Sequence, residues 1–205
     1  MKTHRIHAGA LGLAAAFACA GTALAAPGVA TGPSSSDAPY VVRSKPGVVT
    51  KSVLTVGDAA DGYRMVGVPD GLGAYDNGNG TFTLLANHEL RPTQGIARTH
   101  GGQGAFVSKW TIDKDTLAVT HGEDLIKHLN ITSGTTSLNR LCSGDLPDYS
   151  AFYNSSTGKG YAGRIFMSGE EATGGRAFGH VATGSDAGES YQLAALGGGE
   201  WENLV

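Results

Sequence analysis

Cysteine is almost missing from this sequence, and so are the features that would draw it onto nucleic acid or into a bilayer. Only Cys19 and Cys142 occur among 205 residues, too few for a disulfide framework. Charge is scarce as well. Charged residues make up 16%, and 15 Lys and Arg against 18 Asp and Glu leave a net charge of −3. That balance carries no basic footprint for a phosphate backbone and excludes a nucleic-acid binder. Beyond the apolar stretch at 8–20, no run is long enough to span a bilayer.

What the chain has in abundance is glycine, 32 residues without a collagen-like period. With ordinary apolar content, this composition indicates many turns joining short strands and predicts an all-β protein. Residues 1–25 have the layout of an export signal: Lys2 and Arg5 at the start, apolar residues 8–20, then Ala23-Leu24-Ala25 as a small-residue cleavage site. A secreted or periplasmic location is expected, with no membrane attachment after cleavage. Cleavage also removes Cys19 and leaves Cys142 as the one thiol, which prompts the question of what it does in an oxidising compartment. Residues 26–39, APGVATGPSSSDAP, read as a flexible leader outside the fold. The folded domain is expected over 40–205.

The strongest local signal lies at 71–89, GLGAYDNGNGTFTLLANHE. Short apolar and β-branched runs at 73–75 and 81–86 flank Asn77-Gly78-Asn79-Gly80, where Asn-Gly supplies the positive φ angles of a tight reversal. Asn87-His88-Glu89 follows where the second arm is expected to run out, which puts these side chains at a sheet rim. A second pair is predicted at 106–112 and 116–121, hinged on Asp113-Lys114-Asp115. Phe106, Ser108, Trp110 and Ile112 share one of its faces by the period of two. Two hairpins in succession make a four-stranded meander, the unit of a propeller blade.

The pattern comes again. Residues 150–153, a turn through 154–163, and 164–168 followed by Gly169-Glu170-Glu171 parallel the first hairpin; 177–183 and 190–194 parallel the second. Units of about 50 residues suit propeller repeats, so the expected fold is an incomplete β-propeller, about two to three four-stranded blades of a six-bladed ring. Evenly spaced hairpins in a sandwich are the alternative.

Strand direction alternates in a meander. The loop between the second and third strands therefore shares a face with the connection from the fourth strand to the next unit. Glu89 and Glu170-Glu171 belong to loops of the first kind, and Asp70, Cys142 and Trp201-Glu202 to the second. Arg91, Arg98, His100, Arg140 and Arg176 belong to the same loops. A common mouth of carboxylates, one thiol and guanidinium groups suits a metal and phosphate site. Carboxylate oxygens bind hard cations, a thiolate favours a transition metal, and arginine forks hold phosphate oxygens in pairs. The plainer readings stay open: Glu89, Glu171 and Glu202 as solvated loop acids, and Cys142 as a small buried hydrophobe.

Residues 71–89, the run Asn139-Arg140-Leu141-Cys142-Ser143-Gly144-Asp145-Leu146, the run Arg164-Ile165-Phe166-Met167-Ser168-Gly169-Glu170-Glu171, and 196–205 with Trp201-Glu202-Asn203 resemble the PhoX-type alkaline phosphatases. The resemblance covers nearly all of the chain after the signal. It implies an exported bacterial phosphomonoesterase with a β-propeller fold, in which carboxylates and a cysteine hold iron and calcium. It matches Cys142 to the iron-binding cysteine, Glu170 or Glu171 to an acidic pair, and Glu89 and Glu202 to further acidic positions near the metals. Asp145-Leu146-Pro147-Asp148 and Gly169 stand where the best-known branch has a Gly-rich, Trp-containing run and a second cysteine, so the likeness is to a divergent branch. Two units where a ring needs six lead us to expect the amino-terminal part of a longer protein, monomeric when whole. The expected activity is metal-dependent hydrolysis of a small phosphorylated substrate, with Arg91 or Arg140 on the phosphate. The alternative is a non-catalytic secreted propeller for binding or scaffolding, or an inactive truncated fragment.

Overall fold

The computed structural model describes residues 28–204. The expected export signal and cleavage site, and Cys19, lie outside the described residues. The fold is all-β: among the described residues there is no α-helix, only short 3-10 turns at Tyr149–Ala151 and Ala194–Leu196. Two antiparallel meanders dominate it. The first runs β1 (Pro69–Asp76), β2 (Thr81–His88), β3 (Phe106–Asp113) and β4 (Val119–Asp124), in that order across the sheet. The second runs β5 (Leu141–Asp145), β6 (Ile165–Gly175), β7 (Ala177–Val181) and β8 (Glu189–Gln192), extended by His128–Asn130 parallel to β8 and by Gly199–Glu200 against the end of β6. Neither sheet closes on itself.

The β1–β2 reversal forms as its sequence dictates. Asp76 accepts from the Gly78 amide at 2.8 Å, Asn79 from the Thr81 amide at 3.2 Å, and Gly78 and Gly80 take φ of 74° and 85°. The arms are longer than their apolar runs. Asn87 and His88 continue β2 and are fully buried, so only Glu89 of that trio reaches the rim. On β3 the face of Phe106, Ser108, Trp110 and Ile112 is buried as its alternation predicts, and Val107 on the opposite face is buried too. Both faces are covered because apolar layers lie on either side. Leu85 and Val107 pack with Leu141, Phe166 and Phe178 of the second meander. Trp110 and Ile112 pack with Ala60 and Met65 and with Val53 and Leu54 beside them.

The second meander begins elsewhere than expected. Its first strand is Leu141–Asp145, whereas Tyr149–Ala151 is a 3-10 turn and Tyr153–Asn154 pairs with Lys159–Gly160 in a small separate hairpin. With one large apolar residue, β5 has little strand signal of its own. What fixes it is pairing with β6 on one side and close approach to β1 on the other. A Cβ on Gly71 would stand 2.3 Å from the Gly144 nitrogen, so the two first strands touch backbone to backbone only because both positions are glycine.

Residues 28–39 also differ from the expected leader. Val29–Thr31 pairs in parallel with Thr50–Ser52, the Ser34 hydroxyl accepts from the Val119 amide at 2.9 Å, and the Ser36 amide donates to Asp58 at 2.9 Å. The small polar residues that suggested a loose tail are what lets it lie flat. At Gly32 a Cβ would meet the Ser52 carbonyl oxygen at 2.1 Å.

Candidate functional site

The two meanders repeat one irregularity. In β1 the register passes from Pro69 opposite His88 to Leu72 opposite Ala86, three residues against two. In β5 it passes from Leu141 opposite Glu170 to Gly144 opposite Ser168, again three against two. Each first strand therefore carries a one-residue bulge at the same place. Bulges re-aim side chains and gather at strand ends near functional sites. Asp70 and Cys142 occupy equivalent positions in the two bulges, and Glu89 and Glu171 are equivalent on the paired strands.

These four side chains meet at one end of the sheets. Cys142 Sγ lies 3.7 Å from Asp70 Oδ2 and 3.7 Å from Glu202 Oε2, and its single proton can serve one of them at a time. Arg140, next but one to the thiol, donates through Nε to Glu89 Oε1 at 2.8 Å and through Nη2 to Glu171 Oε2. It holds this posture with φ of 46°, a left-handed conformation unusual for a side-chain-bearing residue. Both carboxylates raise the guanidinium pKa, Glu89 foremost. Four carboxylates thus surround one thiol and one guanidinium.

The excess of negative charge registers on Cys142 and Asp70. Burial, then the charges of Asp70, Glu202, Glu171 and Glu89, push the Cys142 thiol up to about 12. The Asp70 carboxyl is raised by partial burial and then by Glu89, although its outer side is exposed. A thiol and a carboxyl made harder to ionise by neighbouring acids would gain from a cation.

No protein-family model matches the chain, and no curated protein or solved structure matches it. What the site can do is therefore argued from its own residues.

The structure brings together Glu89, Arg140, Cys142, Glu171 and Glu202, and adds Asp70, which the sequence placed on this face but not among the ligands. Its signal was Pro69-Asp70-Gly71 opening a strand. Arg91 lines an open polar cleft of about 450 Å³ with Arg140, Glu171, Thr173 and Glu200. Glu170 stands apart from this set. Its Oε1 accepts from the Asn139 amide at 2.9 Å and Arg176 Nη2 at 2.7 Å, and its Oε2 from the Arg176 amide at 3.0 Å and Nε at 2.8 Å. At 4% exposure it is the anion of a buried ion pair. The reason is strand geometry: neighbours on β6 point to opposite faces, so only one of the acidic pair can face Arg140. Arg98 turns instead to Asp124, and His100 is buried at 9% exposure.

The donor types suit a cation, since carboxylate oxygens and a thiolate are ligands for hard and transition metals respectively. Among the described residues, however, no group of three or more His, Cys, Asp or Glu side chains is already arranged around a common cation position. Arg140 occupies the space between Glu89 and Glu171.

Proposed function

We propose that this chain forms part of an exported β-propeller whose acidic, thiol-bearing mouth binds a metal and hydrolyses small phosphoesters. The two meanders would be adjacent blades, their first strands β1 and β5 lining the central axis. The observation that carries the reading is the approach of Asp70 and Glu202, from separate parts of the chain, to within 3.7 Å of the Cys142 sulfur, with neither acid hydrogen-bonded to Arg140. Separations of 3.7 Å between sulfur and oxygen are close to those of two ligands sharing one first-row ion, given bonds of about 2.3 Å to sulfur and about 2.1 Å to oxygen.

Asp70, Cys142 and Glu202 would hold the metal, iron or calcium by the resemblance noted above, with Glu89 and Glu171 within reach if Arg140 moves onto substrate. When bound, a cation supplies Lewis acidity and a water of lowered pKa. The mouth's own charge would repel a phosphate, so binding a dianion there requires that cation. Arg140 and Arg91, on the wall of the 450 Å³ cleft, would take the non-bridging phosphate oxygens, and the cleft would hold the leaving group.

One observation favours a second reading, a secreted propeller that binds without catalysis. Arg140 already satisfies Glu89 and Glu171, as it would in a purely structural network. Metal analysis of the purified exported protein together with phosphate release from an aryl phosphate separates the two. Bound iron or calcium and turnover, both lost in Cys142→Ser, are expected. Absence of metal and of hydrolysis in the unmodified protein removes the enzyme reading.

A further inference from the structure

A cleft of about 870 Å³ opens between residues 62–68, the loop at 90–99 and the end of β4, and the proposed hydrolysis does not use it. Its walls are mostly apolar, with Val66, Val68, Leu90 and Ile96 among them; Val68 is 53% and Ile96 69% exposed. Set into these walls are two charged side chains, Arg98 at 9% exposure and Asp124 at 8%.

Asp124 is satisfied without the arginine. Its Oδ1 accepts from the Tyr63 hydroxyl at 2.5 Å, and its Oδ2 accepts from the Thr99 amide and hydroxyl, both at 3.0 Å. Arg98 reaches Asp124 only through Nη1 at 3.5 Å, and its guanidinium lies 3.4 Å over the Phe106 ring. None of the other side-chain donors of Arg98 is a buried atom left without a partner, so they open on the cleft. A guanidinium held by a ring and a single long ion-pair contact, with further donors on a cleft, is placed to meet an anion.

We propose that this cleft binds an organic carboxylate with an aliphatic body, the carboxylate on the free edge of Arg98 and the chain along Val66, Val68, Leu90 and Ile96. A guanidinium edge offers paired N–H donors at the spacing of two carboxylate oxygens. The rest of the cleft offers hydrophobic surface and little hydrogen bonding. A head group of single charge is favoured because the Asp124 carboxylate stands beside Arg98 and would repel a phosphate dianion. Arg64 at the same cleft adds a second cation. The volume lies within the range of roughly 300–1,000 Å³ typical of small-molecule sites.

Isothermal titration calorimetry of the whole protein with decanoate, decan-1-ol and acetate tests this. Decanoate is expected to bind one to one, about tenfold or more tighter than decan-1-ol, and acetate to show no measurable heat. Arg98→Gln should lower decanoate to the level of the alcohol. Since Arg98 also packs on Phe106, Ile96→Glu provides a variant at an exposed position, and there decanoate should weaken about tenfold by charge repulsion. Equal affinity for acid and alcohol, unchanged decanoate binding in Ile96→Glu, or no decanoate binding to the unmodified protein would each overturn the assignment.

Discussion

Cys142 shows how far neighbours can set one residue's chemistry. With its pKa pushed up to about 12 by burial and by Asp70, Glu202, Glu171 and Glu89, it is protonated throughout the neutral range. At pH 8 on the order of one thiol in ten thousand would be ionised, against roughly a quarter of free cysteine. Alkylation by iodoacetamide at pH 8 in the presence of a chelator should therefore run at least about a hundredfold slower than for free cysteine. Asp70→Asn combined with Glu202→Gln should restore part of that rate, burial holding back the rest. A rate equal to free cysteine in the unmodified protein would show that neither burial nor the carboxylates govern the thiol, and an unchanged slow rate in the double variant would remove the carboxylates alone. Glu170 makes the opposite case, an acid whose partner is already in place. Removing it in Glu170→Ala strands the Arg176 guanidinium, 13% exposed, and should cost about 3–5 kcal/mol in urea unfolding. Glu171→Ala, at a site where the acid is 23% exposed and Arg140 keeps Glu89, should cost about 1 kcal/mol or less. Equal losses in the two variants would place both acids in the same kind of environment and defeat this distinction.

Among the elements, the close contact of β1 with β5 is what lets the two bulges face one another. Gly71→Ala places a methyl 2.3 Å from the Gly144 nitrogen and 2.6 Å from its Cα, atoms of backbone that cannot rotate aside. We expect a loss of about 3 kcal/mol or more, read as a lower urea midpoint. The variant should also change the alkylation rate of Cys142, because moving β5 separates the thiol from Asp70. A variant as stable as the parent would mean that the first strands are not in contact. The legibility of these elements follows the same physics. The β1–β2 hairpin was plain in the sequence because Asn-Gly and flanking β-branched residues act locally. The β3 face was plain because a period of two survives in any half-buried strand. Strand β5 was not, since Leu141-Cys142-Ser143-Gly144-Asp145 owes its conformation to partners on β6 and β1 that lie far along the chain. The gathering of Glu89, Cys142 and Glu171 at one rim followed from strand alternation. The assignment of Glu170 to an ion pair did not, because which of two adjacent acids faces inward depends on register. Asp70 was legible as a rim residue, yet its equivalence to Cys142 needs the two bulges, which only pairing reveals.

At the scale of the whole molecule, each sheet carries a buried histidine that ties strands together. His88 on β2 shares a hydrogen bond of 2.8 Å with the Ser108 hydroxyl of β3. His180 on β7 bridges Ser168 on β6 and Ser190 on β8, at 2.7 Å each. Burial pushes His88 down to about 4, and burial followed by the nearby His100 pushes His180 down to about 3. Both are neutral in the native state at pH 7, and the hydrogen-bond bridge across the second sheet depends on that: a neutral ring has one donor and one acceptor, so one serine donates to it and the other accepts. In the unfolded chain a histidine takes up its proton near pH 6.5. Between there and the depressed native values the unfolded state binds more protons, so stability falls as the pH falls. Each histidine removes about 3 kcal/mol by pH 4, a large share of the roughly 5–15 kcal/mol that holds a domain together. The urea midpoint should therefore be flat above pH 7, decline from about pH 6.5, and reach unfolding in dilute urea near pH 4. Because one histidine sits in each sheet, far-UV and tryptophan signals, the latter from Trp110 in the first sheet and Trp201 against the second, should be lost together. His180→Gln, which keeps a donor and an acceptor but cannot be protonated in this range, should be less stable at pH 7 and show a shallower decline between pH 6.5 and 4. An unaltered slope in that variant would move the acid sensitivity away from His180, and a tryptophan signal surviving below the far-UV transition would mean that the two sheets unfold separately.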